Sequence, residues 1–196
     1  MALEQVKMAL EKNGFAVSVF ETAEEAAAYL NREIDGVSVG FGGSVTMEAM
    51  GLYESLGSHN SVYWHWREKD IFAAAASADV YLLSPNPIAG NTRGLINNGG
   101  TRNRVSSPLF GHKKVYFIAG KNKVSPDFDS ALHRARNVVA PKNAQRLKLK
   151  TPCAVKGDRC YNCNSPDRIC CGLVVHYKKM KSMDMEVVLI NEELGY

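Results

Sequence analysis

The chain has 196 residues, 45% of them hydrophobic and 22% charged, with 24 Lys+Arg against 20 Asp+Glu for a net charge of +4. This is the length and composition of one globular domain with its own core, and it excludes a disordered, collagen-like or coiled-coil chain. The basic residues are scattered, so the mild excess does not imply nucleic acid. The densest stretch, Lys142 to Lys150, reads as a solvated helix face. No apolar run approaches the roughly 18 residues of a membrane span, and the first five residues lack the basic and apolar regions of a signal peptide. The expectation is a cytoplasmic protein, in which cysteines are rarely paired.

In chain order the pattern alternates helix and strand. Leu3 to Lys12 has helical periodicity and stops at Asn13-Gly14, and Phe15 to Phe20 is a strand. Thr22 and Glu25 form a capping box that opens an Ala-rich helix to Arg32. Gly36 to Val39 is a strand ending in Gly40-Phe41-Gly42-Gly43-Ser44, with a helix from Thr46 to Leu56. Ser61 to Trp66 is a strand, Lys69 to Ser77 a helix and Ala78 to Ser84 an apolar strand. A polar, Asn- and Gly-rich region follows from Pro85 to Arg104. Val115 to Ala119 is a buried strand. Ser125-Pro126-Asp127 opens a helix, with Ser125 as N-cap, that ends before Pro141. A short helix covers Asn143 to Leu149, and a Cys-rich loop Thr151 to Gly172. Two late strands, Leu173 to Tyr177 and Glu186 to Ile190, read as a pair. Strands alternating with helices indicate an α/β fold with a mainly parallel sheet covered by helices. The late pair would add a small antiparallel C-terminal appendage.

Three segments carry chemistry. The Gly-rich turn after the second strand exposes backbone N–H groups where an anion can bind, and Gly40, Gly42, Gly43, Ser44 and Thr46 are its candidate ligand-binding residues. It has neither the P-loop ending nor the Rossmann spacing, and it reads equally as a tight structural turn. Glu48, one turn further on, is the best-placed carboxylate and the candidate catalytic residue, although a solvated helix position accounts for it more simply. In the second segment, Asn86, Arg102, Asn103 and Arg104 also follow an apolar strand. Arginine there offers bidentate recognition of a carboxylate or phosphate, although Asn is also a usual turn residue. His65, within Trp64-His65-Trp66, reads as a core or edge position. Parallel strands share one carboxyl-end face, so the two loops are expected to converge on one cleft holding a small anion.

The third segment is Cys153-x6-Cys160-x2-Cys163-x6-Cys170-Cys171. The C-x-x-C in a turn lets two thiolates bind one metal, and a six-residue arm on each side is long enough to return a third and a fourth. Cys153, Cys160, Cys163 and Cys170 are the candidate ligands of zinc or an iron–sulfur cluster, with Cys171 left over. Free thiols or a disulfide are the alternative.

The runs Gly40 to Thr46, Ala78-Asp79-Val80, Asn103-Arg104-Val105, Ala119 to Lys123, Ala140 to Ala144, Thr151-Pro152-Cys153, Cys163 to Cys170 and Val188 to Tyr196 resemble the LUD-domain (lactate utilisation) family and its single-domain, Cys-bearing subgroup. The resemblance covers nearly the whole chain, so residues 1–196 read as a single LUD-like domain. It implies a fold similar to the sugar-phosphate isomerase and CoA-transferase superfamily, a Rossmann-like, mainly parallel sheet with helices on both faces. It also implies an accessory role in oxidising L-lactate to pyruvate beside iron–sulfur and oxidoreductase subunits. The chain departs from the family where Gly99 replaces an acid and Arg102 a glycine, which implies binding without turnover if that acid is catalytic in relatives. Two other functions stand beside this one: a stand-alone enzyme on a sugar phosphate or acyl-CoA, which needs Glu48 at the Gly-rich mouth, and a metal-stapled interaction module.

Overall fold

In the computed structural model of the protein, the described residues are 2–91 and 94–196, with Arg102 described for its backbone alone. Strands β1 (Ala16–Phe20), β2 (Ser38–Phe41), β3 (Ser61–Trp64), β4 (Val80–Leu83), β7 (Lys114–Gly120) and β10 (Asp184–Ile190) form one six-stranded sheet, ordered β1-β10-β7-β4-β2-β3. Every pairing in it is parallel. Such a sheet must be covered on both faces, and the alternation along its central strands shows how. In β7, Val115, Phe117 and Ala119 join one core with Val6 and Leu10 of α1 (Leu3–Lys12) and Ala75 of α5 (Phe72–Ser77). Tyr116 and Ile118 join the other, with Ala26 and Leu30 of α2 (Ala23–Glu33) and Leu52 and Leu56 of α4 (Leu52–Gly57).

A four-stranded mixed sheet, ordered β8-β5-β6-β9, lies alongside. Its strands are β5 (Ile88–Ala89), β6 (Gly94–Gly99), β8 (Val124–Ser125) and β9 (Gly172–His176). The α/β expectation holds, and two details of it change. The late strands do not pair with each other: β9 runs antiparallel to β6, whereas β10 is inserted between β1 and β7. The polar region after β4 is a hairpin, β5 and β6, and not only turns. Its Asn and Gly content masked the strands because the partners that bury Leu95 and Ile96 arrive from distant sequence.

Helix boundaries also shift for local reasons. Gly51, at φ 61°, separates α3 (Val45–Ala49) from α4, so the helix expected from Thr46 to Leu56 is two. The N-cap of α6 (Phe128–Arg134) is Asp127, whose side chain accepts from the Ser130 N–H, while Ser125 belongs to β8. The helix does not end before Pro141. It passes through a π-helical turn at Ala135–Val139 and continues as α7 (Ala140–Arg146). Proline lacks an N–H and clashes with the carbonyl four residues back in a regular α-helix. The wider turn just before it removes both conflicts. Thr22 and Glu25 make the expected capping box. Among the described residues no helix is long and apolar enough to cross a membrane.

The register of β10 has a polar anchor. Glu186, 3% exposed, accepts from Ser18 Oγ at 2.8 Å and Tyr29 Oη at 2.6 Å, and pairs with Lys114 Nζ at 2.8 Å. Burial raises its pKa, but the Lys114 ammonium and the two hydroxyl donors outweigh burial and hold it below the usual carboxylate range. Removing one member of a buried pair leaves the other uncompensated. Glu186→Ala is therefore expected to lower stability by about 3 kcal/mol in urea unfolding, and Glu186→Gln, which keeps acceptors for both hydroxyls, by less.

Candidate functional site

Because the six strands are parallel, the segments that follow them leave from one edge. The chain goes from β2 outward to β3 but from β4 the opposite way to β7, and the neighbours β2 and β4 therefore send their continuations apart. An open α/β sheet has its crevice at such a point. A cavity of about 480 Å³ lies there. Its walls come from the turn after β2 (Gly43, Ser44, Thr46), the turn after β3 (His65, Trp66), the start of the hairpin (Ser84, Pro85, Asn86) and the turn after β7 (Lys123). Asn98 to Thr101, Asn103 and Arg104 from the hairpin's far side, Asn143 and Arg146 from α7, and Arg168 to Cys170 from the Cys-rich loop complete it. Gly195 and Tyr196, beyond β10, line it as well.

The two loops expected to converge do so, residue by residue. Ser44 caps α3 by accepting from the Met47 N–H at 3.3 Å. Thr46 Oγ1 donates to the Leu194 carbonyl at 3.1 Å. Asn86 holds the hairpin, its Oδ1 accepting from the Asn98 N–H at 2.7 Å. Asn103 Nδ2 lies 3.4 Å from His65 Nε2, and its carbonyl accepts from Tyr81 Oη at 2.7 Å. Gly40 and Gly42 are packing positions beneath the cavity. A side chain at Gly40 would run into the Ala75 carbonyl oxygen and the Tyr81 ring, and Gly42 donates its N–H to the Leu82 carbonyl at 2.8 Å. The Arg102 side chain lies outside the described residues. Glu48 is not brought to the cavity. The phase of α3 buries Thr46 and Met47 and turns Glu48 outward, 3.9 Å from Arg67 Nη2. His65, read as a core or edge residue, is a wall of the site, its ring stacked on Phe72 with centroids 5.1 Å apart.

The electrostatics are one-sided. Arg104, Lys123, Arg146 and Arg168 line the cavity, and among the described residues no Asp or Glu does. Arg104 donates from Nη2 to the Ser84 carbonyl at 2.8 Å, while its Nε is sealed from solvent without a partner among the described residues. Burial lowers its pKa to about 10. Lys123 is 5% exposed, and Nζ donates to Ser84 Oγ at 2.7 Å and Thr46 Oγ1 at 3.0 Å. Burial first, then the charges of Arg104 and Arg134, lowers its pKa to about 7. Arg146 lies over the Trp66 ring, 4.6 Å from its centroid, so one rim is both cationic and aromatic. Lys123 was not singled out from the sequence as a site residue. Its signal was a lysine just past the apolar run of β7, where a buried strand meets the carboxyl edge.

The floor beneath Lys123 is tied together from distant sequence. Asn122 Oδ1 accepts from the Leu194 N–H at 3.0 Å. Gly195, at φ 66°, lies so close to Thr46 that a side chain there would stand 2.6 Å from Oγ1, and only glycine fits.

The Cys-rich loop forms the opposite wall. All five cysteines are free, four half-buried and Cys171 exposed. Arg168 donates from Nη1 to the Cys163 carbonyl at 2.8 Å and from Nε to the Cys170 carbonyl at 3.0 Å. Cys170 above all, with Cys163 and Cys160 adding their charge, raises the Arg168 pKa. In the C-x-x-C turn, Asn162 takes φ 46° and its N–H donates to Cys160 Sγ at 3.4 Å. Cys160, Cys170 and Cys171 line a second cavity of about 310 Å³ that shares Asn98, Ala140, Arg168 and Cys170 with the first. Cys153 lies apart from both cavities, in the first turn of α8 (Pro152–Lys156). Among the described residues no three His, Cys, Asp or Glu side chains converge as a metal-ligand set in this arrangement. The donors are nonetheless thiophilic in kind, with an N–H already on one sulfur and a cation among three of them.

A family model, the LUD domain, matches residues 3–190. The crystal structure of a DUF162 family protein from Deinococcus radiodurans is similar in fold, with a TM-score of 0.57 at 11% sequence identity over 96% of each chain. No curated protein matches.

The buried lysine has a measurable consequence. Its folded pKa, about 7, lies below the ordinary 10.5. Between those values the unfolded chain holds a proton that the folded chain does not, so its destabilising effect is complete below pH 7 and fades as the pH rises toward 10.5. Lys123→Met is therefore expected to raise the melting temperature at pH 6, with a gain that shrinks steadily between pH 7 and pH 10. A gain independent of pH would contradict a buried, titrating amine.

Proposed function

Because the chain belongs to the LUD-domain family, which is related to lactate utilisation, we propose that it is an accessory subunit of a system oxidising L-lactate to pyruvate, and that its carboxyl-edge cavity binds a small anion. The observation that carries this reading is the set of basic side chains on the cavity, Arg104, buried Lys123, Arg146 and Arg168, none with a carboxylate partner among the described residues. Buried charge without a partner is costly, and a carboxylate or phosphate in the cavity offsets that cost. Arg104 lines that cavity, and a guanidinium is the planar donor such groups accept. In this reading the protein is cytoplasmic, and its partners are the iron–sulfur and oxidoreductase subunits that move the electrons. The alternative of a stand-alone enzyme with Glu48 as its acid is not supported, because Glu48 pairs with Arg67 outside the cavity.

Calorimetric titration with L-lactate, pyruvate and inorganic phosphate tests the anion site. Saturable binding is expected for at least one of them, weakening as salt rises and falling about tenfold or more in Arg104→Gln. Unchanged affinity in that variant, or no binding of any of the three, contradicts the reading.

A second element of the proposal is a metal at the cysteines. It is favoured by Arg168, which holds the carbonyls of Cys163 and Cys170, and by the N–H on Cys160 Sγ, the kind of outer contact that surrounds metal-bound sulfur. Cys153 would be the fourth ligand, brought in by movement of the loop. Zinc would staple this wall of the cavity, and an iron–sulfur cluster would carry electrons. Protein purified without oxygen is expected to hold iron or zinc near stoichiometry, with loss in Cys160→Ser and Cys163→Ser. Neither metal above background in the wild type contradicts it.

A further inference from the structure

Resting on the anion-site reading above, we propose that Lys123 is a nucleophile: its amine forms an imine with the carbonyl carbon of an anionic carbonyl compound bound in the cavity, a 2-oxo acid or a phosphorylated sugar. The argument starts from what surrounds Nζ. Its two hydrogen bonds go to hydroxyl oxygens, Ser84 Oγ at 2.7 Å and Thr46 Oγ1 at 3.0 Å. The Thr46 proton is committed to the Leu194 carbonyl, so Thr46 accepts from the amine and does not donate to it. A neutral amine has two N–H bonds and one lone pair. Both N–H bonds are occupied, and the lone pair is left for the cavity that Lys123 lines.

The charge environment favours the neutral form. The side chain is 5% exposed, no carboxylate pairs with it among the described residues, and its charged neighbours, Arg104 and Arg134, are cations. Desolvation beside other cations is a known way to activate a lysine for imine formation. A lysine that only held an anion would work better charged, with all three N–H donors free for the ligand. Arg104 already provides a cation on the same cavity, and both side chains bond to Ser84, Arg104 at the carbonyl and Lys123 at Oγ. The two therefore lie close enough to serve one small molecule. The arginine takes its carboxylate or phosphate, and the amine reaches its carbonyl.

The step balances within the site. The nitrogen lone pair attacks the carbonyl carbon, the C–N bond forms, and the carbonyl π pair moves to oxygen. One proton passes from nitrogen to that oxygen, giving a carbinolamine. A second proton transfer lets the oxygen leave as water while the C=N bond forms. The net change is amine plus carbonyl to imine plus water, and Ser84 Oγ, 2.7 Å from Nζ, is placed to pass the protons. The imine, once protonated, withdraws electrons from the adjacent carbon and eases removal of a proton there.

The test uses the wild-type protein with pyruvate in one arm and ribose 5-phosphate in the other, each with cyanoborohydride at neutral pH, followed by peptide mass mapping. The expected result is one reduced adduct at Lys123, in whichever arm carries the right anion, with exposed Lys121 at background. Lys123→Arg should lose the adduct, Arg104→Gln should slow its formation about tenfold, and L-lactate, which lacks the carbonyl, should compete. No adduct at Lys123 in either arm, or labelling spread evenly over exposed lysines, overturns the proposal. Calorimetry with L-lactate, pyruvate and inorganic phosphate separates the two failures. Binding of any of the three without trapping removes only the imine, and absence of all binding and of trapping removes the anion site too.

Discussion

Six strands running the same way impose the constraint on which the rest depends. A parallel sheet puts every strand's carboxyl end on one edge and needs a cover on both faces. Both consequences are visible here. The faces are closed by two separate cores, and the edge gathers segments that start at Gly42, His65, Ser84, Lys121 and Asn191. Those segments are remote in sequence but neighbours in space, and the reversal between β2 and β4 opens room among them. The insertion of β10 between β1 and β7 makes the arrangement all-or-none. The last strand completes the middle of the sheet, and the residues after it reach the cavity floor.

Electrostatics explain why this edge suits an anion. In a low-dielectric wall a guanidinium and an ammonium raise each other's free energy, and burial adds to it. Elsewhere the same fold solves the problem with a partner: Glu186 sits against Lys114, Tyr29 and Ser18. At the carboxyl edge Arg104 and Lys123 have, among the described residues, hydroxyl and carbonyl oxygens as partners. Partial neutralisation of Lys123 is one answer to that crowding, and an anionic ligand is the other. The two answers compete, because an anion bound at Arg104 also draws the proton back toward Lys123.

The Cys-rich loop is part of this site and not an appendage to it. Arg168 connects the two, since it lines the cavity while holding the carbonyls of Cys163 and Cys170. Gly100 presses on Ile169 so closely that a side chain would stand 2.8 Å from its carbonyl oxygen. The Cys171 N–H donates to the Gly99 carbonyl at 3.1 Å. A change at the sulfurs would therefore be felt at the cavity wall.

Local chemistry was enough to determine much of this protein. Apolar runs separated by helical periodicity located all six strands of the large sheet, five of them as members of a parallel sheet. The Thr22 and Glu25 capping box and the stop at Asn13-Gly14 are readable because the interacting groups lie within one turn of each other. The convergence of the Gly-rich and Asn/Arg loops followed from strand direction alone. Where distant partners decide, the sequence was silent. The hairpin β5–β6 exists because β8 and β9 pair with it, and β10 joins β1 and β7 instead of its neighbour β9. Glu48 faces solvent by one step of helical phase. Pro141 continues a helix because a π-turn precedes it. Lys123 became a site residue only when a sheet edge, two hydroxyls and two arginines closed around it, and burial of that kind is a property of the whole fold.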